Sequence, residues 1–297
     1  MRIKKECVFM KFLDLGFVQF LIRLVKRYFK DDIDSSAAAL AYYMMFSFFP
    51  IIILGSTLLG YANISSDSIF KVFTGILPHD VINIINRYLV YVSLNKNANI
   101  LMVSLFFTVY FPIRAVTRIM DEINRAYQVG KERHFIKKIF FVIVFTALFV
   151  FTIFASLTFM IAGRSILSFA SKFVGISTEF IDAWVNNRFV AMAIICFVTI
   201  TILYILAPNC KVSFTQAFPG AALAVFLWLL LSAGFSFYVE NMGNYSLLFG
   251  SIGAIIVLLV WLYMMAVILL MGAEVNSVLK ELSEERGKKV KKILYKN

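Results

Sequence analysis

The sequence predicts an all-α, polytopic membrane protein: six transmembrane helices, both termini in the cytosol, and amphipathic helices at the interface. Three observations carry that expectation. Six long apolar runs punctuate the 297 residues. The composition is 61% hydrophobic and only 15% charged, with a mean hydropathy of +0.85, whereas soluble domains hold about 45–50% apolar residues. So few charges cannot clothe a soluble globule of this size, and lipid must solvate much of the surface. The third observation is where Lys and Arg fall. Eight lie in residues 1–36, seven in 114–138, one in 208–217 and seven in 276–297. Residues 62–99 and 163–188 hold three each, and 240–250 none. This split of 23 against 6 places both ends inside by the positive-inside rule. It also accounts for the net charge of +12 without nucleic acid, and makes anionic lipid headgroups the natural partners.

Residues 1–36 read as a cytosolic lead-in. Leu13, Phe17, Phe20, Leu21, Leu24 and Tyr28 recur at helical spacing. Arg23, Lys26, Arg27 and Lys30 lie largely away from them. Such a helix fits the membrane surface or the protein's own bundle, and both readings stay open. Lys11 and Asp14 interrupt the first apolar stretch, so no cleavable signal is expected there.

The transmembrane domain spans 37–275. The first span, near 37–61, follows N-cap candidates Asp34, Ser35 and Ser36. Ala37 and Ala41 permit close helix contact, and Pro50 removes a backbone donor mid-span, so a kink is expected there. Outer segment 62–99 reads as interfacial helix broken near Pro78. The second span begins at Ile100, the third lies near 139–162, and outer segment 163–188 is again amphipathic. The fourth, near 189–207, stops at Pro208. The fifth, near 218–239, has Pro219 placed for a first turn. The sixth lies near 251–275, and 276–297 is a basic cytosolic tail. Gly234, Gly250, Gly253, Gly272 and Ala221 are expected to allow close packing or a re-entrant turn. Trp228 and Trp261 read as packing residues.

The second run is the irregular one. Ile100–Ile113 is a largely apolar run of only 14 residues, about 21 Å of helix, against a hydrocarbon core of about 30 Å. Beyond Pro112, Arg114, Arg118, Asp121 and Arg125 share one helical face, and Ala115, Ile119, Met120, Ile123 and Ala126 occupy much of the other. Arg118 with Glu122, and Asp121 with Arg125, can pair at i,i+4. Two readings stand. Either a short span turns into an interfacial helix, or one long helix presents its charged half to a water-filled cavity. In the second case the arginine face suits phosphate or carboxylate. Glu274, near the end of the last span, is expected to pair with Arg114 or Arg118. Tyr42 and Tyr43 fit cavity lining or plain packing with the hydroxyl at the surface. Pro50 and Pro112 are the candidate hinges.

The segment Ala38–Pro50 resembles the opening signature of the YihY/BrkB family of inner-membrane proteins. Arg114–Tyr127, with Asn124-Arg125-Ala126-Tyr127, is similar to its second signature. Pro208-Asn209, Pro219-Gly220, Asn244-Tyr245, Gly250–Gly253, Trp261–Tyr263 and Gly272-Ala273-Glu274 together resemble the third. The likeness covers roughly residues 20–280, and the order and spacing of the motifs make it specific. It implies six spans with both ends in the cytosol. The family was once labelled ribonuclease BN, an activity not carried over here. Metal-dependent nucleases gather carboxylates or histidines around an ion, whereas His79 and His134 are the only histidines and no such cluster is visible. Cys7, Cys196 and Cys210 show no ligand spacing. No metal or other cofactor is expected.

Two functions fit. One is a transporter or flippase-like protein for a polar anionic or lipid-linked substrate. The other is a non-transporting scaffold for envelope or virulence-related partners. Homo-oligomerisation fits either.

Overall fold

A computed structural model describes residues 17–61, 98–130, 133–152, 171, 177, 179, 188–241 and 245–294. Among these, seven helices and no strand are present. They are α1 (17–30), α2 (Ile33–Tyr61), α3 (Ala98–Ala126), α4 (Phe135–Thr152), α5 (Arg188–Leu206), α6 (Phe214–Asn241) and α7 (Tyr245–Leu294). The outer segment 62–97, almost all of 163–187, residues 1–16, Cys7 and His79 lie outside the described residues.

Among the described residues, four helices are long and apolar enough to cross a membrane: Met102–Ala126, Phe135–Thr152, Phe214–Tyr238 and Ile255–Glu285. Val190–Leu206 is apolar but shorter. Their surfaces are greasy where they face outward: Phe106, Phe140, Phe151, Phe226 and Leu230 are each more than half exposed. The interior is built of smaller and aliphatic groups. Ala37, Leu40, Ala217, Ala221 and Ala266 are fully buried beside Ile123, Phe145 and Tyr204. Small residues at the crossings let backbones approach closely, which is how helices associate where no hydrophobic driving force separates them from lipid.

Three boundaries differ from the sequence reading. α2 begins at Ile33, so Asp34 sits in its first turn and Ser35 and Ser36 are helical rather than caps. The chain enters α2 through Asp32, whose left-handed backbone (φ 53) closes the end of α1. A short polar side chain tolerates that conformation better than most. α6 begins at Phe214, which puts Pro219 inside the helix rather than in its first turn. α7 runs 50 residues without a break, so the apolar run and the basic tail form one helix.

α6 and α7 approach each other closely at Gly220 and Gly272. A Cβ added to Gly220 would lie 2.0 Å from the Gly272 carbonyl oxygen and 2.6 Å from Asn276. One added to Gly272 would lie 2.3 Å from the Tyr204 hydroxyl. Around this contact the polar groups of the crossing satisfy one another. Gly220 N–H donates to Asn276 Oδ1 at 2.7 Å, Asn276 Nδ2 donates to the Ala217 carbonyl at 3.0 Å, and the Tyr204 hydroxyl donates to the Leu269 carbonyl at 2.5 Å. A buried side-chain amide that bonds two backbone groups of a neighbouring helix fixes register as well as distance. Gly272 thus plays the packing role expected of it. Gly234 has open space around it, and Gly220 is the second half of the contact. Buried Thr152 and Thr199 join α4 to α5 through a 2.7 Å hydrogen bond.

Gly220→Ala is expected to lower stability by on the order of 3 kcal/mol, because the new methyl meets backbone. Gly234→Ala should be neutral or stabilising. Thermal unfolding of the two variants in one detergent checks this; equal midpoints would refute the crossing.

Candidate functional site

The second apolar run and the charged stripe after it form one helix. α3 passes through Pro112 and continues to Ala126. Its inner face is the predicted one: Ala115, Ile119, Met120, Ile123 and Ala126 are all buried. The opposite edge carries Arg114, Arg118, Asp121 and Arg125. Together with α2 it borders an open cavity of about 230 Å³, lined by Ala39, Tyr43, Arg114, Thr117, Arg118 and Asp121.

The charges around this cavity do not cancel. Glu122 is buried and lies between two arginines, 3.3 Å from Arg118 Nε and 3.2 Å from Arg125 Nη1. Arg118 also donates to the Ser36 hydroxyl at 2.9 Å, and Arg125 to the Asp31 carbonyl at 3.0 Å. Asp121 pairs with Lys138 of α4 at 2.7 Å, not with Arg125 as its i,i+4 spacing suggested. The helix places Glu122 nearer Arg125, and the start of α4 delivers a lysine to Asp121. Arg114 has Tyr43 as its nearest neighbour, with its guanidinium 5.6 Å from that ring and 3.4 Å from that hydroxyl, and Asp121 borders the same cavity. Two carboxylates therefore face Arg114, Arg118, Arg125 and Lys138, a local excess of positive charge open to a polar guest.

Glu274 does not join this group. Its partner is Arg27 of α1, at 2.9 Å, rather than Arg114 or Arg118. Arg27 and Glu274 are both buried. Arg27 Nη1 also donates to the Ala126 carbonyl at 2.5 Å and to the Ser277 hydroxyl at 3.2 Å, while Nη2 bonds Glu281. Ser277 in turn donates to the same Ala126 carbonyl at 2.7 Å. One guanidinium thus ties α1, the C-terminus of α3 and α7 together, and shares with Ser277 the task of satisfying an end-of-helix carbonyl. A turn further out, Arg23 grips Glu285 through two 2.9 Å bonds. The geometric cause of this pairing is simple. On the α1 helix Arg27 projects between Phe20 and Arg23, next to the docked edge marked by buried Leu24, and not into solvent. α1 packs on the bundle by that edge while Phe17, Val18, Val25 and Phe29 stay exposed.

The flanking loops are pinned by the motif residues. Asn124 Oδ1 accepts from Asn209 N–H at 2.7 Å. Arg133 donates to the Leu206 and Pro208 carbonyls at 2.8 and 3.1 Å and stacks 3.9 Å over Phe141; desolvation there lowers its pKa. Tyr127, following α3, has its hydroxyl pKa pushed up by burial. Tyr43 lines the cavity, whereas Tyr42 is 47% exposed and packs at a tilt against Phe46, ring centroids 4.5 Å apart. Pro50 and Pro112 both lie inside continuous helices. Among the described residues, no group of three His, Cys, Asp or Glu side chains could hold a metal ion.

The buried pair and the exposed pair should respond differently to truncation. Arg27→Ala strands Glu274 in the interior and is expected to cost about 3–5 kcal/mol. Arg23→Ala, at a partly exposed pair, should cost less than about 1 kcal/mol. Thermal or denaturant unfolding of both variants decides; a mild Arg27→Ala phenotype would remove the knot from its structural role.

Comparison with known proteins agrees with this architecture. The family described as virulence factor BrkB matches residues 24–293. The chain is similar to the ribonuclease-like protein YfkH of Bacillus subtilis (strain 168), 33% identical over 271 residues that cover 90% of this chain and 98% of that one. It is also similar to a UPF0761 membrane protein of Pseudoalteromonas translucida (strain TAC 125), 26% identical over 263 residues covering 86% and 84% of the two chains. A UPF0761 membrane protein of Vibrio vulnificus (strain YJ016) is 43% identical over 79 residues, 27% of this chain and 25% of its own. No solved structure gives a significant match. The match over nearly the whole length, joined to the apolar helices, makes the chain a member of the BrkB family of membrane proteins.

Proposed function

We propose that the protein is a multi-pass plasma-membrane transporter or flippase-like protein for a polar anionic or lipid-linked substrate, with six spans and both termini in the cytosol. The observation that carries the reading is the cavity at Arg114, with its surplus positive charge. Arg118 and Arg125 are occupied by Glu122, and Asp121 by Lys138, but Arg114 faces the opening with a hydroxyl and an aromatic ring as its neighbours. A guanidinium is weakly hydrated and forks onto carboxylate or phosphate, so it favours such guests over water-bound cations. Charge in a membrane protein's interior generally faces a partner or an aqueous path, and this stripe opens on a cavity. Anionic headgroups at the cytosolic leaflet supply guests of the right sign. The orientation rests on the 23-to-6 division of basic residues.

A non-transporting scaffold is the second reading. What favours it is the exposed apolar arc of α1, from Phe17 through Leu21 and Val25 to Phe29, an arrangement that suits a partner surface.

Single cysteines at Lys26 and Glu284 should react with a membrane-impermeant maleimide only in inverted vesicles. Reaction in right-side-out vesicles would reverse the orientation. In proteoliposomes, the wild type should translocate a fluorescent anionic phospholipid or a radiolabelled organic phosphate, and Arg114→Gln should slow it by about tenfold, the loss of one charge-assisted contact. Absence of translocation for both probes would reject transport and leave the scaffold.

A further inference from the structure

The cavity at Arg114 does not end in bare protein. Its lining Tyr43 is the first of a connected series of rings on the seam between α2 and α3. Tyr43 meets Tyr42 at 5.5 Å, Tyr42 meets Phe46 at 4.5 Å, Phe46 meets Phe111 at 5.6 Å, and Phe111 meets Phe107 at 5.4 Å. Tyr42, Phe46 and Phe107 are 47%, 41% and 36% exposed. The series therefore forms a strip open at the surface, not a buried core. Both helices contribute: Tyr43 hands over to its sequence neighbour Tyr42, and the pairs Tyr42/Phe46 and Phe107/Phe111 each follow one helix turn at i,i+4. Phe107 lies seven residues before Arg114, about 10 Å along the axis, toward the apolar half of α3.

Polarity changes abruptly along this line. At one end stand two guanidiniums, a hydroxyl, a threonine and the Asp121 carboxylate, which Lys138 neutralises; at the other stand the rings of Phe46, Phe111 and Phe107. A guest with charge alone would use the first end and leave the strip unoccupied. The cavity, at about 230 Å³, is smaller than the roughly 300–1,000 Å³ of sites that enclose a whole small molecule. It fits a headgroup, with the remainder of the guest outside it. We infer that the site takes an amphiphile: a phosphate-bearing lipid whose headgroup contacts Arg114, Arg118 and Tyr43 while a hydrocarbon chain lies along Phe46, Phe111 and Phe107. This rests on the reading of the cavity as an anion site and narrows its substrate to the lipid-linked class.

The test uses the full chain purified in a mild non-ionic detergent. Three probes are compared by isothermal titration: dioctanoyl phosphatidic acid, glycerol 3-phosphate, which carries the same phosphate without chains, and dioctanoyl glycerol, which has chains without phosphate. The wild type should bind phosphatidic acid at least about tenfold more tightly than either fragment. Arg114→Gln should weaken both phosphate probes. Phe46→Ala combined with Phe107→Ala should reduce phosphatidic acid to the level of glycerol 3-phosphate and leave glycerol 3-phosphate unchanged. The milder Phe46→Leu with Phe107→Leu keeps the outcome readable if the alanine pair unfolds, and should give a smaller loss in the same direction. Equal binding of phosphatidic acid and glycerol 3-phosphate, unaffected by the seam variants, would overturn the amphiphile while sparing the anion cavity. Phosphate binding indifferent to Arg114→Gln would overturn the cavity itself. A seam variant that changed only oligomeric state would assign the strip to a second copy and also overturn the proposal.

Discussion

A single buried guanidinium organises the basic end of this bundle. Arg27 reaches Glu274, Ser277 and Glu281 on α7 and the terminal carbonyl of α3 at Ala126. Removing both members of a buried ion pair can be harmless, but removing one leaves a charge in a poor solvent. The two helices and the lead-in are therefore interdependent in a way that apolar packing alone would not require. The cavity is arranged downstream of this constraint. With the end of α3 held against α7, its charged edge turns toward α2, where Ser36 and Tyr43 meet Arg118 and Arg114.

The same separation of roles runs through the rest of the molecule. Pairs that consume charge, such as Glu122 with Arg118 and Arg125, sit on the bundle side of the stripe. Groups left with capacity sit on the open side. The contact of Gly220 with Gly272, locked by Asn276, sets the spacing of α6 and α7 without any charge. Membership of the BrkB family fits the motifs found at these positions, since Gly220, Gly272, Glu274, Asn124 and Asn209 all make specific contacts between elements.

Local periodicity made some of this legible and left the rest hidden. The buried face of α3 followed from residue spacing, because five apolar side chains at helical intervals have one consistent solution. The partner of Glu274 did not follow, because the pairing joins residues 247 positions apart, and in the sequence Arg27 groups with the other basic residues of the lead-in. On the α1 wheel Arg27 lies at the edge of the basic arc, beside Leu24. Gly220 was hidden for another reason: a glycine in an apolar run carries no pattern, and only the opposing backbone shows that a methyl would not fit. Asp121 chose Lys138 over Arg125 because tertiary neighbours outcompete a local i,i+4 geometry worth only a few tenths of a kcal/mol.

The unbroken length of α7 has a mechanical consequence. Its 50 residues make a rod of about 75 Å, more than twice the hydrocarbon thickness. The crossing at Gly272 acts as a fulcrum, with roughly 33 Å of lever beyond it. A tilt of about 10° there would swing the far end by about 6 Å, carrying Glu281 and Glu285 and so α1 with it. Small rearrangements among the spans would then be magnified outside the bilayer, and a load on the tail would be felt at Gly220.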